Sequence, residues 1–569
     1  MKLVEKQLVQ SLSKNKIFVF LMFLLSVFTS FMYFFVRFSI DVNYKRLQSI
    51  AVLNEKQQLY WTALTSNISL ARSFLFGFLL LTGVVECMFY YRFFKENKKQ
   101  LGCLKTIGYT DSELVRVFLK ATVVLTISGA VTGCIAGYFA SDILIDANKT
   151  TYLIENVQKG VSFTTLGTGL LFPCIVFLIL TYIMYGMVRK KECAVLITEA
   201  SNQSSCGSVL RMADRVSMLF PKKQRMPVRL ALRNVMALIL ILLSVFTMLI
   251  MFNLAYALNK SSEYISGAQM EGRYYESELR YDFMMQALSE NLSDGQAEVT
   301  TYSKSACELQ FGKKKDSMLR QTVGAFDESQ KLFELIDKKG KVIPFPKEGE
   351  IVVSEHIATV YHMNPDDIVK IRIGEETEEL KITGVARNAE SNWVYMQKEQ
   401  LNQMLGYSKE AYCGIVSNAV LSDEDALVIT REEREKELLR NSVSNQMSAV
   451  IVQVMGCVIG CILLLLAVAL NFNSNLSDMR ILRMLGYKTK EIRHLLVDVY
   501  KPVILVGFFL LLLPAFGVVK IILNSLSMQI EEYLHFETGV GINLLIFGII
   551  WVIYFAIQGL YGREKRKRK

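Results

Sequence analysis

A chain of 569 residues, of which 52% are hydrophobic and 21% charged, is too apolar for an ordinary soluble protein. Its net charge of +11 would suit a nucleic-acid partner, but the Lys and Arg clusters flank long apolar runs, the positive-inside pattern of a membrane protein, and nucleic acid is excluded. Of ten cysteines, Cys87, Cys134, Cys174, Cys457 and Cys461 lie in apolar runs, where small buried thiols are the default; Cys307 and Cys413 alone fall in the long hydrophilic segment, and spacing does not decide whether they pair.

Lys2, Lys6, Lys14 and Lys16 precede the first apolar run, 17–36, which places the N-terminus in the cytoplasm. No small-residue cleavage site follows it, so the run reads as a retained span and not a signal peptide. Residues 41–69 form a short outside segment with the pattern of a helical hairpin. The run 74–94 returns to Lys95, Lys98 and Lys99, 121–139 goes out towards Asp142 and Asp146, and 165–188 comes back to Arg189, Lys190 and Lys191. A basic linker, 191–224, separates this first unit (1–190) from a second (225–569).

In the second unit the run 235–258 leads out into the largest hydrophilic region, 259–446. Glu350-Ile351-Val352-Val353-Ser354 is a compact β-branched run, and Val369-Lys370-Ile371-Arg372-Ile373 alternates with period two, as a half-buried strand does. Leu380–Val385 repeats the alternation after Gly374-Glu375-Glu376, and 398–405 reads as a short helix. A folded α/β domain outside the membrane is expected. The charged stretch 431–440 then runs into the apolar run 447–470 without Gly or Pro, which predicts one helix, part stalk and part span. Runs 502–519 and 540–560, with Glu531, Glu532 and Glu537 between them and a basic tail behind, complete about eight transmembrane helices with both termini cytoplasmic.

One motif occurs twice. Leu104-Lys105-Thr106-Ile107-Gly108-Tyr109-Thr110-Asp111-Ser112-Glu113-Leu114 matches Leu482-Arg483-Met484-Leu485-Gly486-Tyr487-Lys488-Thr489-Lys490-Glu491-Ile492 at a constant offset of 378 positions. Each copy is a polar elbow between two apolar runs, and duplication at equivalent positions points to a docking surface rather than a site of chemistry. Gly108 suits the left-handed end of a helix, and Thr110-x-x-Glu113 fits a capping box for the next one. Lys488 replaces Thr110 in the second copy, where Thr489 would cap alone.

The elbow followed by a span resembles the FtsX-like permease domain of ABC transporters, and the whole chain resembles two such units fused. Gly349 to Ser354, Asp366-Asp367-Ile368-Val369 and Ile382-Thr383-Gly384-Val385 resemble the outside domain of MacB-like members, and the two-unit plan resembles BceB-type permeases of peptide resistance. The resemblance implies a bacterial plasma-membrane protein whose elbows are coupling helices for a cytoplasmic ABC ATPase, a dimer. It implicates Leu104, Gly108, Tyr109 and Glu113, and Leu482, Gly486, Tyr487 and Glu491. Among BceB-type proteins it makes a sensor kinase and an extracellular peptide further candidate partners, beside membrane lipids.

No Gly-x-x-x-x-Gly-Lys-(Ser/Thr) loop occurs, so ATP and Mg are expected in a separate subunit, and no cofactor is expected in this chain. Gly129, Gly133 and Gly137 recur every four residues, as do Gly456 and Gly460, faces on which helices approach closely. Glu86 is a carboxylate inside an apolar run, with Leu464 as its counterpart; an intramembrane carboxylate is a functional candidate by default, and reach to Arg92 or to the interface is the simpler account. His356, His362, His494 and His535 have no metal spacing, and no catalytic residues are identified. The expected activity is export or outer-leaflet removal of a substrate such as an antimicrobial peptide or lipid. The alternative is a non-transporting mechanotransmission component acting on a cell-wall hydrolase or sensor kinase.

Overall fold

Runs of some twenty apolar residues have nowhere to satisfy their backbone except in helices, and the computed structural model forms them as such. It describes residues 16–50, 55–152, 156–190, 218, 235–286, 297–310, 318–474, 481, 484–487, 500–530 and 533–564. Among these residues, eight helices are long and apolar enough to cross a membrane, the number expected from the sequence. The basic linker, apart from Met218, lies outside the described residues.

By internal contacts the chain falls into two compact units. The first comprises Met1–Leu254, Val450–Val519 and Gly539–Lys569 and holds the apolar helices: α1 Lys16–Gln48, α2 Glu55–Glu96, the short α3 Lys98–Thr106, α4 Asp111–Ala140, α5 Asp142–Tyr152, α6 Phe163–Leu166 and α7 Phe172–Arg189. It also takes in the greater part of α8 Val235–Met270. The expected hairpin at 41–69 consists of the ends of α1 and α2, with Tyr44 stacked on Trp61 at 4.5 Å. One feature the sequence did not announce is a π-helical turn, Gly167–Leu171, between α6 and α7. Its Gly169 lies against the Phe34 ring and accepts a hydrogen bond from Ser30 at 3.2 Å.

Glycines set the closest helix approaches. A Cβ on Gly129 would lie 2.7 Å from Ser26 Cβ, one on Gly133 2.5 Å from the Val27 carbonyl oxygen, and one on Gly137 2.9 Å from Phe34 Cβ. All three therefore seat α4 directly on α1. In the second half a Cβ on Gly456 would meet Met251 Cβ at 2.5 Å, and Gly460 faces Met248. Ser244 donates to the Gly460 carbonyl at 2.8 Å, an interhelical bond of the kind that joins helices where hydrophobic driving force is absent.

The second unit, Ala255–Ala449 with Lys520–Thr538, is strand-rich. Its strands are β1 Ser277–Met285, β2 Val299–Gln310, β3 Met318–Phe326, β4 Leu335–Ile336, β5 Val342–Ile343, β6 Glu350–Ser354, β7 Ile368–Ile373, β8 Glu376–Ala386, β9 Trp393–Gln397, β10 Tyr412–Ser417 and β11 Leu427–Thr430. Short helices α9 Glu355–Val360 and α10 Lys398–Met404 follow β6 and β9. The main sheet runs β11-β1-β10-β2-β3-β9-β6-β8-β7, and β7 also pairs with β2. That last pairing, Glu308 opposite Arg372, closes six strands into a barrel and leaves β10, β1 and β11 as an extension. Closure removes edges that would otherwise invite pairing. The alternation read in Val369, Ile371 and Ile373 points into the barrel, with Leu309, Val323, Ile351, Leu380, Ile382 and Val394.

The barrel also settles the cysteines. Cys307 is inside it, its thiol pushed up to about 12 by burial. Cys413 sits on β10 beside Ser303 and Lys304, about 13 Å along the strand from Cys307 at roughly 3.3 Å per residue. A disulfide needs Cα atoms within about 7 Å. Both cysteines are free.

A buried ion cluster fastens the extension. Glu278 of β1 receives Arg280 Nε at 2.8 Å, the Tyr302 hydroxyl at 2.7 Å and Arg434 Nη1 at 3.2 Å, and Arg434 Nη2 reaches Glu390 at 2.5 Å. Arg434 belongs to α11 Arg431–Ser474, a single helix of 44 residues, as expected of the charged stretch and the span behind it. Helices α12 Tyr500–Ile530 and α13 Val540–Glu564 complete the chain.

Candidate coupling elbows

The first elbow is built by two backbone devices. Helix α3 ends in a Schellman motif: Gly108 takes φ 105°, its N–H donates to the Lys105 carbonyl at 3.0 Å, and the Tyr109 N–H reaches back to the Leu104 carbonyl at 3.2 Å. Glycine enters that left-handed region without the Cβ penalty. Thr110 is extended (φ −75°, ψ 152°) as the cap of α4. The Glu113 carboxylate accepts from the Thr110 N–H at 3.0 Å and from its hydroxyl at 2.9 Å. The capping box read from Thr110-x-x-Glu113 is present.

Side chains then pin the elbow to the bundle. Lys105 Nζ lies 2.8 Å from Asp111 Oδ1 and 3.2 Å from the Val188 carbonyl, and the Tyr185 hydroxyl donates to the same Asp111 oxygen at 2.8 Å. Below lie Phe94, Phe118 and Tyr185, edge to face at 5.0 and 5.7 Å, and Leu101 is wholly buried.

Of the four residues singled out here, Leu104 and Tyr109 are half-buried and pack against this core. Gly108 makes the turn and Glu113 makes the cap. The surface of the elbow is instead offered by Cys103, Thr106 and Ile107, the last with 73% of its area exposed. Sequence reasoning missed these, although Ile107 was visible as an apolar residue on a polar loop.

In the second elbow Ile481, Met484, Leu485, Gly486 and Tyr487 are described, whereas Leu482 and Glu491, together with Lys488 and Thr489, lie outside the described residues. Gly486 has φ 87°, so both glycines adopt the same rare backbone conformation. Met484 and Leu485, the counterparts of Thr106 and Ile107, are 79% and 69% exposed, and Tyr487 is exposed at 46% where Tyr109 is half-buried. Each elbow therefore displays the two residues ahead of its left-handed glycine.

Among the described residues no group of three His, Cys, Asp or Glu is placed to hold a metal ion. Both ring nitrogens of His356 face backbone carbonyls, Ser391 and Ser527, at 3.1 Å, and burial holds its pKa below the usual value. Glu86 does not turn to Arg92; its Oε1 accepts from Thr181 at 2.9 Å, while Arg92 Nε bonds Glu96 at 2.6 Å. Six residues along a helix is about 240° around it, whereas four returns to the same face.

The family model described as FtsX-like permease C-terminal matches the chain twice, over residues 72–192 and 450–568. No curated protein matches. Each matched stretch contains one elbow and the spans on either side of it. FtsX-like permeases are membrane components and not themselves ATPases. The chain is a multi-pass membrane protein in which two stretches, one around each elbow, match the FtsX-like permease C-terminal family model.

Proposed function

We propose that this chain is the permease subunit of an ABC transporter, with a cytoplasmic ATPase dimer docked on the two elbows and ATP and Mg held in that partner. The observation that carries the reading is the repeated geometry: a left-handed glycine with two exposed residues ahead of it, at Thr106-Ile107 and at Met484-Leu485. Ile107, Met484 and Leu485 are apolar and suit a protein partner better than water. The basic residues at the first elbow (Lys95, Lys98, Lys99 and Lys105) and the basic tail support a reading in which both elbows and both termini are cytoplasmic, and the resemblance to FtsX-like permeases supports a bacterial plasma membrane. Span 235–258 then delivers the strand-rich domain to the outside. The domain limits that follow are 1–190 and 225–569, joined by the linker 191–224, with 259–446 extracytoplasmic. The substrate is a peptide or lipid removed from the outer leaflet.

The test compares the wild-type chain with an Ile107→Asp, Leu485→Asp double variant, purified in mild detergent. Both side chains are exposed, and the turns they lie in are held by backbone hydrogen bonds that the substitutions leave in place, so the variant keeps its thermal transition. A Walker-motif ATPase that co-purifies with the wild type and is lost from the variant is expected. An ATPase retained by the variant removes the elbows from the interface.

A second reading, mechanotransmission to a cell-wall hydrolase or sensor kinase, draws support from α11. Its first turns are fastened by Arg434 to Glu278 and Glu390, and it continues unbroken to Ser474. Vesicles reconstituted with chain and ATPase separate the two readings, since only a transporter moves labelled peptide or lipid between leaflets.

A further inference from the structure

The first membrane-helix bundle contains a polar chamber that neither the elbows nor the coupling reading uses. A cavity of about 20 Å3 is lined by Ser26, Thr82, Glu86, Tyr90, Thr122 and Thr126 together with apolar neighbours. One water-sized occupant needs about 10–15 Å3 on this measure. Glu86 is 98% buried, being 2% exposed. Its Oε1 is satisfied by Thr181, and its Oε2 is buried without a hydrogen-bond partner. A carboxylate oxygen left in that state inside a membrane bundle is costly.

The directions of the surrounding hydroxyl protons say what would relieve it. Thr181 gives its proton to Glu86, so Thr122, 2.9 Å away, donates to Thr181, and Tyr90, 2.6 Å from Thr122, donates in turn. Thr29 gives its proton to the Leu25 carbonyl at 2.8 Å, so Thr82, 2.9 Å from Thr29, donates to it. Ser26 donates to the Thr126 carbonyl at 3.3 Å. The hydroxyls of Ser26, Thr82 and Thr122 thus have their protons committed elsewhere and offer only lone pairs. Around a carboxylate oxygen these three hydroxyls make an electron-rich wall, Thr126 being the one lining hydroxyl whose proton is not already committed, and such a wall favours a positive occupant.

The second half supplies an internal control. At the elbow offset, Thr82, Glu86 and Tyr90 correspond to Gly460, Leu464 and Val468. Leu464 and Val468 are buried in the apolar core. A helix of this type therefore packs at these positions without the polar set, and packing does not explain its presence.

We propose that Glu86 and the hydroxyls around it bind one monovalent cation of water size, either a proton shared with a water molecule or a sodium ion. The site stands independently of the docking reading, because it requires no ATPase.

The test is infrared difference spectroscopy on the full chain in lipid nanodiscs, titrating pH in potassium salt and then adding sodium at fixed pH. A carboxyl signal that follows pH, moves in deuterated water and is absent from Glu86→Gln assigns the proton. A carboxylate signal that responds to sodium and not potassium, and is likewise absent from Glu86→Gln, assigns sodium. Thr82→Val keeps the carboxyl and should weaken the midpoint of the same titration about tenfold, the effect of losing one hydrogen-bonding group to a charge; it carries the test should Glu86→Gln fail to fold. Spectra of wild type and Glu86→Gln that coincide at every pH and in both salts, or a Thr82→Val midpoint equal to that of the wild type, overturn the proposal.

Discussion

Arg434 meets the buried Glu278 and the half-buried Glu390, and its loss would leave both short of a cation. Removing one partner of a buried pair costs about 3–5 kcal/mol, so Arg434→Ala is expected to lower the unfolding transition of the strand-rich unit clearly. Arg434→Lys should recover only part of that, because an ammonium cannot bridge Glu278 and Glu390 as a guanidinium fork does. The same cluster sets a pH dependence. Burial pushes Glu278 up, but Arg280 and Arg434, with the Tyr302 hydroxyl, outweigh it and hold its pKa at about 2. A folded pKa below the unfolded value means stability that is full above about pH 4.5 and lost as pH falls towards 2. The size is about 3 kcal/mol at 1.36 kcal/mol per unit. Thermal unfolding followed between those limits should show the loss in the wild type and a flatter profile in Glu278→Gln. An equal slope in both would remove Glu278 as its source.

Helices α1 and α4 touch through glycine, and the contact has no slack. Gly133→Val places a Cβ against the Val27 carbonyl and must part the two helices, with a cost of about 3 kcal/mol or more. Gly548 has open space around its Cα, so Gly548→Ala is expected to be neutral or to stabilise by up to about 1 kcal/mol through helix propensity. Melting both variants in detergent checks the contrast. This element was legible in the sequence, as were the spans, because apolar runs beyond twenty residues and a four-residue glycine spacing each have one structural meaning. β7 and β8 were legible because one face alternates cleanly. β2 was not: Val299-Thr300-Thr301-Tyr302-Ser303-Lys304-Ser305 carries small polar residues on both faces, and its partners β3, β7 and β10 are scattered along the chain. The elbow glycines were legible from their spacing. The inward turn of Leu104 and Tyr109 was not, since on a nine-residue helix hydropathy does not separate a face packed on a bundle from one offered to a partner.

At the scale of the whole molecule the chain presents two unlike halves joined in one polypeptide. The orientation inferred from its charges is open to a direct check with Cys103, exposed on the first elbow. In a variant retaining only that cysteine, a membrane-impermeant maleimide should label inside-out vesicles and spare intact cells; the reverse pattern would invert the topology. The closure of the barrel has a mechanical consequence. β1 is the first strand after α8 and β11 the last strand before α11, and these two strands are antiparallel neighbours with Ser277 opposite Thr430. A force drawing α8 and α11 apart therefore acts at one end of the β1–β11 ladder and would peel it bond by bond, the direction in which a sheet resists least, without first loading the closed barrel. Arg431 with Glu276 and Arg434 with Glu278 bridge that same end. They are the rivets at the tip of a zip, and the tension at which they part sets how much pull the helices can exert before the extension opens.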